Sequence, residues 1–276
     1  MSSETQMVSA VKNKAVQFTV AWLRRCGTVA IALAIMVSLA ACGSGQVSEV
    51  ATEVDDATVG ATAPAVAAVP PTFPTLARLD GKATVVITVN GKEIEIEVDG
   101  DSAPVTAGNF VDLVKRKVYD GTVFHRVVRQ PTPFVVQGGD PQSKDPNVSQ
   151  GALGTGSFKD PKTGQARLIP LEILPEGAGS PLYSTTFEQE GISTSPVLSH
   201  TRGAVAMARS PAPDSASAQF YFALADLAPL DGSYAVFGYV TEGMDVVDEI
   251  QQGDRIESAE ITAGADNLRL PTDGAE

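Results

Sequence analysis

The chain has 276 residues, a length that suits one or two domains, and its 43% hydrophobic and 19% charged residues are typical of a globular protein. The excess of 33 acidic over 20 basic residues gives a net charge of −13, which repels phosphate backbones and excludes nucleic acid as an expected partner. With two cysteines, Cys26 and Cys42, and two histidines, a disulfide framework is excluded, and we expect neither a bound metal nor a cofactor.

Residues 1–41 are predicted to be a signal peptide. Four basic residues precede an uncharged stretch whose apolar centre, residues 29–39, is shorter than the roughly 20 residues that span a bilayer. The sequence LAACG at residues 39–43 resembles the bacterial lipobox, in which the cysteine becomes the lipidated first residue of the mature protein. This predicts an extracytoplasmic protein of the cell envelope, anchored to a membrane through Cys42. An uncleaved anchor with an incidental cysteine is the alternative, and Met7 is a second candidate start.

Residues 42–76 are predicted to be a flexible tether that follows the lipidated cysteine. They are rich in small residues and proline, and no aromatic residue precedes Phe73. Such a composition cannot build a core and is typical of a spacer. The remaining residues, 77–276, are predicted to form one folded domain.

The folded part begins with a predicted β-hairpin. Residues 82–89 are rich in β-branched side chains, and residues 92–98 alternate strictly between charged and apolar. Asn90-Gly91 separates the two runs, and this dipeptide is the strongest short-range signal for a two-residue hairpin turn. The alternation predicts that Ile94, Ile96 and Val98 face the core.

A helix is predicted next, over residues 103–117, because Phe110, Leu113 and Val114 fall on one helical face behind Pro104. Short strands follow, and residues 244–252 form a second amphipathic helix that Gly253 ends. Residues 256–270 add one or two strands, while residues 141–199 are predicted to be extended loops, with 169–173 their likeliest strand. Many short strands with two helices predict a mainly β fold, a closed antiparallel barrel capped at its ends. The other predicted strands cover residues 122–128, 134–137, 204–208, 219–223 and 235–240.

Four blocks of sequence then carry a resemblance to a known family. The first two blocks are YDGTVFHR at residues 119–126 and FVVQGGD at 134–140. The third combines GAVAMAR at 203–209 with AQFYF at 218–222, and the fourth is LDGSYAVFG at 230–238. In this order they resemble the signature of the cyclophilin-type peptidyl-prolyl cis-trans isomerases, and the match runs from about residue 80 to 270.

The resemblance implies an eight-stranded cyclophilin-like barrel and an isomerase that acts on peptide bonds preceding proline. Its expected partners are proline-containing peptides and unfolded exported proteins, and it is expected to be a monomer without cofactor. A catalyst of this reaction needs no nucleophile, because it must only hold the proline ring and favour the twisted amide.

By family position, Arg126 is predicted to donate to the amide nitrogen of the twisted bond, with Gln137 steadying it as the second catalytic residue. The alternative interpretation is that the predicted pocket residues belong to the barrel core. For Met207 the two interpretations stand equal. Strand alternation turns His125 away from the groove, and His200 has no assigned role. The predicted substrate-binding residues are Phe134, Val135, Met207, Ala208, Gln219, Tyr221, Leu230 and Tyr234.

The chain departs from the family pattern at several positions. Pro229 stands where cyclosporin-sensitive members carry tryptophan, which predicts weak cyclosporin binding. Tyr234 stands where many eukaryotic members carry histidine, and Arg209 replaces a frequent asparagine. Arg209 is therefore expected to alter substrate preference. Pro131 and Pro133 lengthen the connection between Arg126 and Phe134, which puts the geometry of the pocket in doubt.

The sequence leaves one alternative function open and disfavours two others. A proline-peptide-binding module or chaperone with little catalysis is the alternative function, and the presence of Arg126 and Gln137 favours the enzyme. A hydrolase is disfavoured because no Gly-x-Ser-x-Gly motif is present. The glycine-rich run at residues 151–156 lacks the lysine that directly follows the last glycine of a Walker motif, and it does not predict nucleotide binding.

Overall fold

The computed structural model describes residues 73–271 of the chain. The predicted signal peptide, the predicted lipidation at Cys42 and nearly all of the predicted tether lie outside these residues. Within the described range, none of the helices combines the length and apolar character that a membrane span requires.

Short strands dominate the described part of the chain, as the sequence predicts. The α-helices are α1 (Pro104–Lys115), α2 (Phe187–Glu190) and α3 (Met244–Glu249). The strands are β1 (Arg78–Leu79), β2 (Lys82–Val89), β3 (Lys92–Asp99), β4 (Arg126–Val128), β5 (Val135–Gly138), β6 (Glu172–Ile173), β7 (Leu182–Tyr183), β8 (Ala204–Met207), β9 (Phe220–Ala223), β10 (Val236–Glu242), β11 (Ile256–Ala263) and β12 (Leu268–Arg269).

Eight of these strands form one antiparallel sheet in the order β11-β2-β3-β10-β8-β9-β5-β4. The prediction of a closed barrel is wrong, because the edge strands β11 and β4 do not pair with each other. The segments that precede them are joined by the Val123–Arg255 bridge and by backbone hydrogen bonds between residues 121–124 and 253–256. Beyond that bridge, the Arg129 side chain donates to the carbonyls of Val247 and Asp248 at the end of α3. The end of α3 therefore lies beside β4, where a strand would have to pair with β4 to close the barrel. The sheet is an open half-barrel.

The predicted hairpin is confirmed as β2 and β3. Val89 pairs with Lys92 across the turn, and Asn90 and Gly91 adopt φ angles of 53° and 72°. Positive φ at both central residues is the geometry that a two-residue turn between twisted strands requires. As predicted, Ile94, Ile96 and Val98 are fully buried.

Helix α1 packs against the inner face of the sheet. The ring of Phe110 lies 5.4 Å from that of Phe220 on β9 and 4.8 Å from that of Phe237 on β10. On another side of the helix, a Cβ added to Gly108 would lie 2.4 Å from the Cα of Arg78, so only glycine admits β1 there. β1 in turn pairs with β12.

The long segment at residues 141–199 is held to α1 by a buried carboxylate. Glu172 is 0% exposed, and its two oxygens accept from the backbone N–H groups of Val105 and Thr106 at 3.1 and 2.7 Å. The Tyr183 hydroxyl donates to the same carboxylate at 2.8 Å. Burial raises the pKa of Glu172, while the N–H donors at the helix N-terminus oppose that rise. The strand predicted over residues 169–173 is shorter, because only Glu172 and Ile173 join a ladder.

We expect Glu172→Ala to lower the free energy of unfolding by about 3 kcal/mol, because two backbone donors and one hydroxyl would be left buried without an acceptor. The matched control Tyr183→Phe removes one hydrogen bond and should cost about 1 kcal/mol. Urea denaturation of the two variants measures both values. Equal costs for the two variants would contradict the anchoring role of Glu172.

Candidate active site

The register of four neighbouring strands places one row of side chains on the outer face of the sheet. Arg126 on β4 lies opposite Gln137 on β5, Gln137 lies opposite Tyr221 on β9, and Tyr221 lies opposite Ala206 on β8. Residues directly opposite each other on paired strands project to the same face. The row therefore brings the two predicted catalytic residues beside a predicted wall of the pocket.

A chain of hydrogen bonds links this row to the long segment. Arg126 Nη1 donates to Gln137 Oε1 at 3.3 Å, and Gln137 Nε2 donates to Gln219 Oε1 at 3.2 Å. Gln219 Nε2 then donates to the carbonyl of Gly156 at 2.8 Å. Each amide accepts through its oxygen and donates through its nitrogen, so the chain fixes the orientation of both glutamines.

A small cavity of about 150 Å³ opens beside Arg126. The Arg126 guanidinium carbon lies 5.6 Å from the ring centroid of Phe134 and so faces the cavity's apolar wall. A slot of this kind accepts an apolar ring and presents a cation at its rim. Its lining residues are Arg126, Phe134, Val135, Gln137, Ala208, Arg209, Tyr221, Leu230 and Tyr234.

A larger cavity of about 500 Å³ adjoins this slot and shares Gln137, Ala208 and Arg209 with it. Gln219 lines this second cavity rather than the slot. Sequence analysis did not predict this second cavity, because residues 154–157 of the long segment form its wall. The irregular sequence of that segment gives no signal of what it packs against. The other lining residues are Gly154, Thr155, Gly156, Ser157, Leu168, Ser210, Ser215 and Ser217.

One predicted site residue, Met207, lies elsewhere. Its side chain is 1% exposed and packs in the main core, and it is absent from the lining of both cavities. Met207 lies opposite Phe220, another core residue, so strand alternation directs it inward while Ala208 faces the groove. His125 also lines neither cavity and lies instead near Gly154.

His200, which sequence analysis left without a role, supports the wall of the slot. Its side chain is 0% exposed, its Nδ1 lies 2.7 Å from a carboxylate oxygen of Asp231, and its Nε2 lies 2.9 Å from the Tyr221 hydroxyl. Because a carboxylate only accepts, Nδ1 of the neutral imidazole carries the proton, which leaves Nε2 to accept from the Tyr221 hydroxyl. The contact joins residues far apart in the chain, and no local pattern predicts it.

Within residues 73–271, no group of three or more histidine, cysteine, aspartate or glutamate residues is arranged to hold a metal ion.

Comparison with known proteins places the chain in a family. The family model described as "Cyclophilin type peptidyl-prolyl cis-trans isomerase/CLD" matches residues 84–266. A Synechocystis sp. protein, provisionally named a thylakoid lumen peptidyl-prolyl cis-trans isomerase, is 42% identical over 212 residues, which cover 73% of this chain and 52% of that protein. The chloroplastic peptidyl-prolyl cis-trans isomerase CYP38 of Arabidopsis thaliana is 39% identical over 222 residues, covering 74% of this chain and 48% of that protein.

The chain thus spans about half the length of these curated relatives. Among solved structures, a cyclophilin-type isomerase of Cryptosporidium parvum superposes with a TM-score of 0.49 at 21% identity, covering 66% of this chain and 98% of that one.

Burial lowers the pKa of both histidines, and at His200 it outweighs the opposing effect of Asp231. We therefore expect both imidazole resonances to titrate with midpoints below the ordinary value of about 6.5. The unfolded chain then binds more protons than the folded chain at slightly acidic pH, so the histidines make the protein less stable as pH falls below about 6.5.

NMR titration checks this expectation without ambiguity, because the sequence contains two histidines and the His125→Gln variant assigns the second resonance. A midpoint at or above the ordinary value for His200 would show that the Asp231 carboxylate dominates burial.

Proposed function

Because the chain belongs to the cyclophilin-type peptidyl-prolyl cis-trans isomerases, we propose that it catalyses cis–trans isomerisation of X–Pro bonds in exported proteins. The observation that carries this proposal is the Arg126 guanidinium at the rim of an apolar slot, with its carbon 5.6 Å from the Phe134 ring centroid. Proline-containing segments of unfolded chains are the proposed substrates.

The reaction is slow without a catalyst because the amide resists rotation. Resonance between nitrogen and carbonyl gives a barrier of about 18–20 kcal/mol. The cis and trans forms before proline differ by only about 1 kcal/mol, yet they exchange over tens to hundreds of seconds. A catalyst must therefore lower the energy of the twisted amide rather than favour either isomer.

Arg126 is the residue that we assign to this task. In the twisted amide the nitrogen regains its lone pair and becomes a hydrogen-bond acceptor, so a guanidinium donor binds it more strongly than it binds the planar amide. One donor of Arg126 is engaged by Gln137, which holds the guanidinium at the rim and leaves other N–H groups for the substrate.

The slot is proposed to hold the proline ring while the carbonyl side of the bond rotates. Phe134, Leu230 and Tyr221 supply apolar and aromatic surface to it. The hydrogen bond from Tyr221 to His200 keeps the Tyr221 ring in place, and the half-buried Phe134 ring lies against Arg126. A rigid wall confines the ring without binding the rest of the peptide tightly.

We expect Arg126→Ala to lower kcat/KM for a proline tetrapeptide by about 100-fold, the effect typical of removing one donor that acts in the transition state. Peptide affinity should change little, because the slot retains its apolar wall. NMR exchange spectroscopy measures the turnover, and chemical-shift titration measures the affinity.

Arg269→Ala is the matched control for this experiment. Arg269 is an exposed arginine on β12, outside the eight-stranded sheet that carries the slot, and its loss should leave turnover unchanged. Equal turnover by Arg126→Ala and the unmodified protein would contradict the assignment. Peptide binding without turnover in the unmodified protein would instead support the alternative function, a proline-peptide-binding module or chaperone.

We further propose that the protein acts outside the cytoplasm, tethered to a membrane through lipid on Cys42. The sequence at residues 39–43 supports the lipid attachment. The names of two relatives, which place them in the thylakoid lumen and the chloroplast, support export.

Replacement of Cys42 tests the anchor. We expect the unmodified protein to sediment with membranes and to have an intact mass that begins at an acylated Cys42. The Cys42→Ala variant should carry no acyl chain, because the thiol that accepts it is gone. Cys26→Ala is the matched control and should leave acylation unchanged. An unacylated mature protein, or one that retains residues 1–41, would contradict the proposal.

A further inference from the structure

Arg209 lies at the boundary between the slot and the larger cavity, and it lines both. Its guanidinium is fixed by backbone carbonyls from two loops. Nε and Nη2 donate to the carbonyl of Ser233 at 2.9 and 2.6 Å, and Nη1 donates to those of Ser210 and Pro211 at 2.9 and 3.2 Å. The positive charge therefore has a defined position in the groove.

The contacts that fix Arg209 leave its charge uncompensated. Besides the carbonyls, the guanidinium carbon lies 4.7 Å from the ring centroid of Tyr234. These partners are neutral, and among residues 73–271 no carboxylate forms an ion pair with Arg209. A fixed and unpaired guanidinium is a ready partner for a carboxylate.

The groove is cationic although the protein is acidic. The chain carries a net charge of −13, yet among the residues that the structure describes, Arg126 and Arg209 are the only charged ones that line either cavity. Two carboxylates near the groove, Asp231 and Asp140, line neither cavity. Asp231 lies behind the wall against His200, and the buried Asp140 accepts from the backbone N–H groups of Gly154 and Gly156. The charged side chains that face a bound peptide from the lining of the two cavities are therefore both positive.

We propose that Arg209 makes this site select prolyl peptides that carry an acidic side chain close to the proline. The inference rests on the proposed function, since it takes the slot as the proline site. With the ring in the slot, a neighbouring residue that extends into the larger cavity must pass the three residues shared by the two cavities, of which Arg209 is the charged one. An aspartate or glutamate gains an ion pair there, whereas a lysine meets a like charge.

Two peptide series test the inference on the purified full-length protein. One is acetyl-Xaa-Ala-Pro-Phe-amide and the other acetyl-Ala-Ala-Pro-Xaa-amide, with Xaa as Glu, Gln or Lys. The variable residue never directly precedes proline, because that position itself changes the cis–trans equilibrium. In at least one series, kcat/KM should fall by about threefold at each step from Glu to Gln to Lys. A factor of about three is the effect expected from the energy of a partly exposed ion pair.

Substitutions of Arg209 test whether its charge causes the order of the kcat/KM values. Arg209→Gln should bring the three peptides to equal kcat/KM, Arg209→Lys should keep the order, and the distant control Arg269→Gln should keep it as well. High salt should weaken the order in the unmodified protein. Equal kcat/KM for the Glu and Lys peptides in both series, or an order that persists in Arg209→Gln, would overturn the inference.

Affinity separates this inference from the proposed function. If the unmodified protein turns over none of the peptides, the proposed activity fails. The Kd values of the same peptides then decide the inference, with tighter binding of Glu than Lys supporting it and equal binding overturning it.

Discussion

The groove depends on the register of strands β4, β5, β9 and β8. Arg126, Gln137 and Tyr221 share the outer face only because the row beside them, which includes Val136, Phe222 and Val205, faces the core. A slip of one residue would turn every side chain of a strand to the opposite face. Hydrophobic burial on the inner face therefore determines which side chains lie on the outer face, although Val136, Phe222 and Val205 line neither cavity.

Much of this arrangement can be predicted from the sequence. Alternation and turn residues predict the β2–β3 hairpin, and the sequence blocks around Arg126 and Tyr221 identify the wall of the slot. Met207 was assigned to the pocket by its place in a block, whereas its alternation with Ala208 directs it inward. The open edge of the sheet was not predictable, because it depends on where Arg129 meets the end of α3. Such long-range contacts leave no periodic signal in the chain.

The long segment at residues 141–199 links stability to the groove. Glu172 holds it to α1, and the Gly156 carbonyl accepts the last hydrogen bond of the chain that begins at Arg126. A segment that the sequence predicts to be an irregular loop thus completes the larger cavity and orients Gln137 and Gln219. Loops of this length are often functional, since a rigid scaffold can position them while their own sequence varies.

The pairing of β1 with β12 has a consequence for the order in which the protein is made. The partner of Arg78 is Arg269, so the first strand of the described domain stays unpaired until nearly two hundred further residues have been synthesised. β2 waits almost as long for β11 on one of its sides. Non-local pairing of this kind slows folding. One edge of the β-branched strand β2 therefore stays without its partner until β11 has been synthesised.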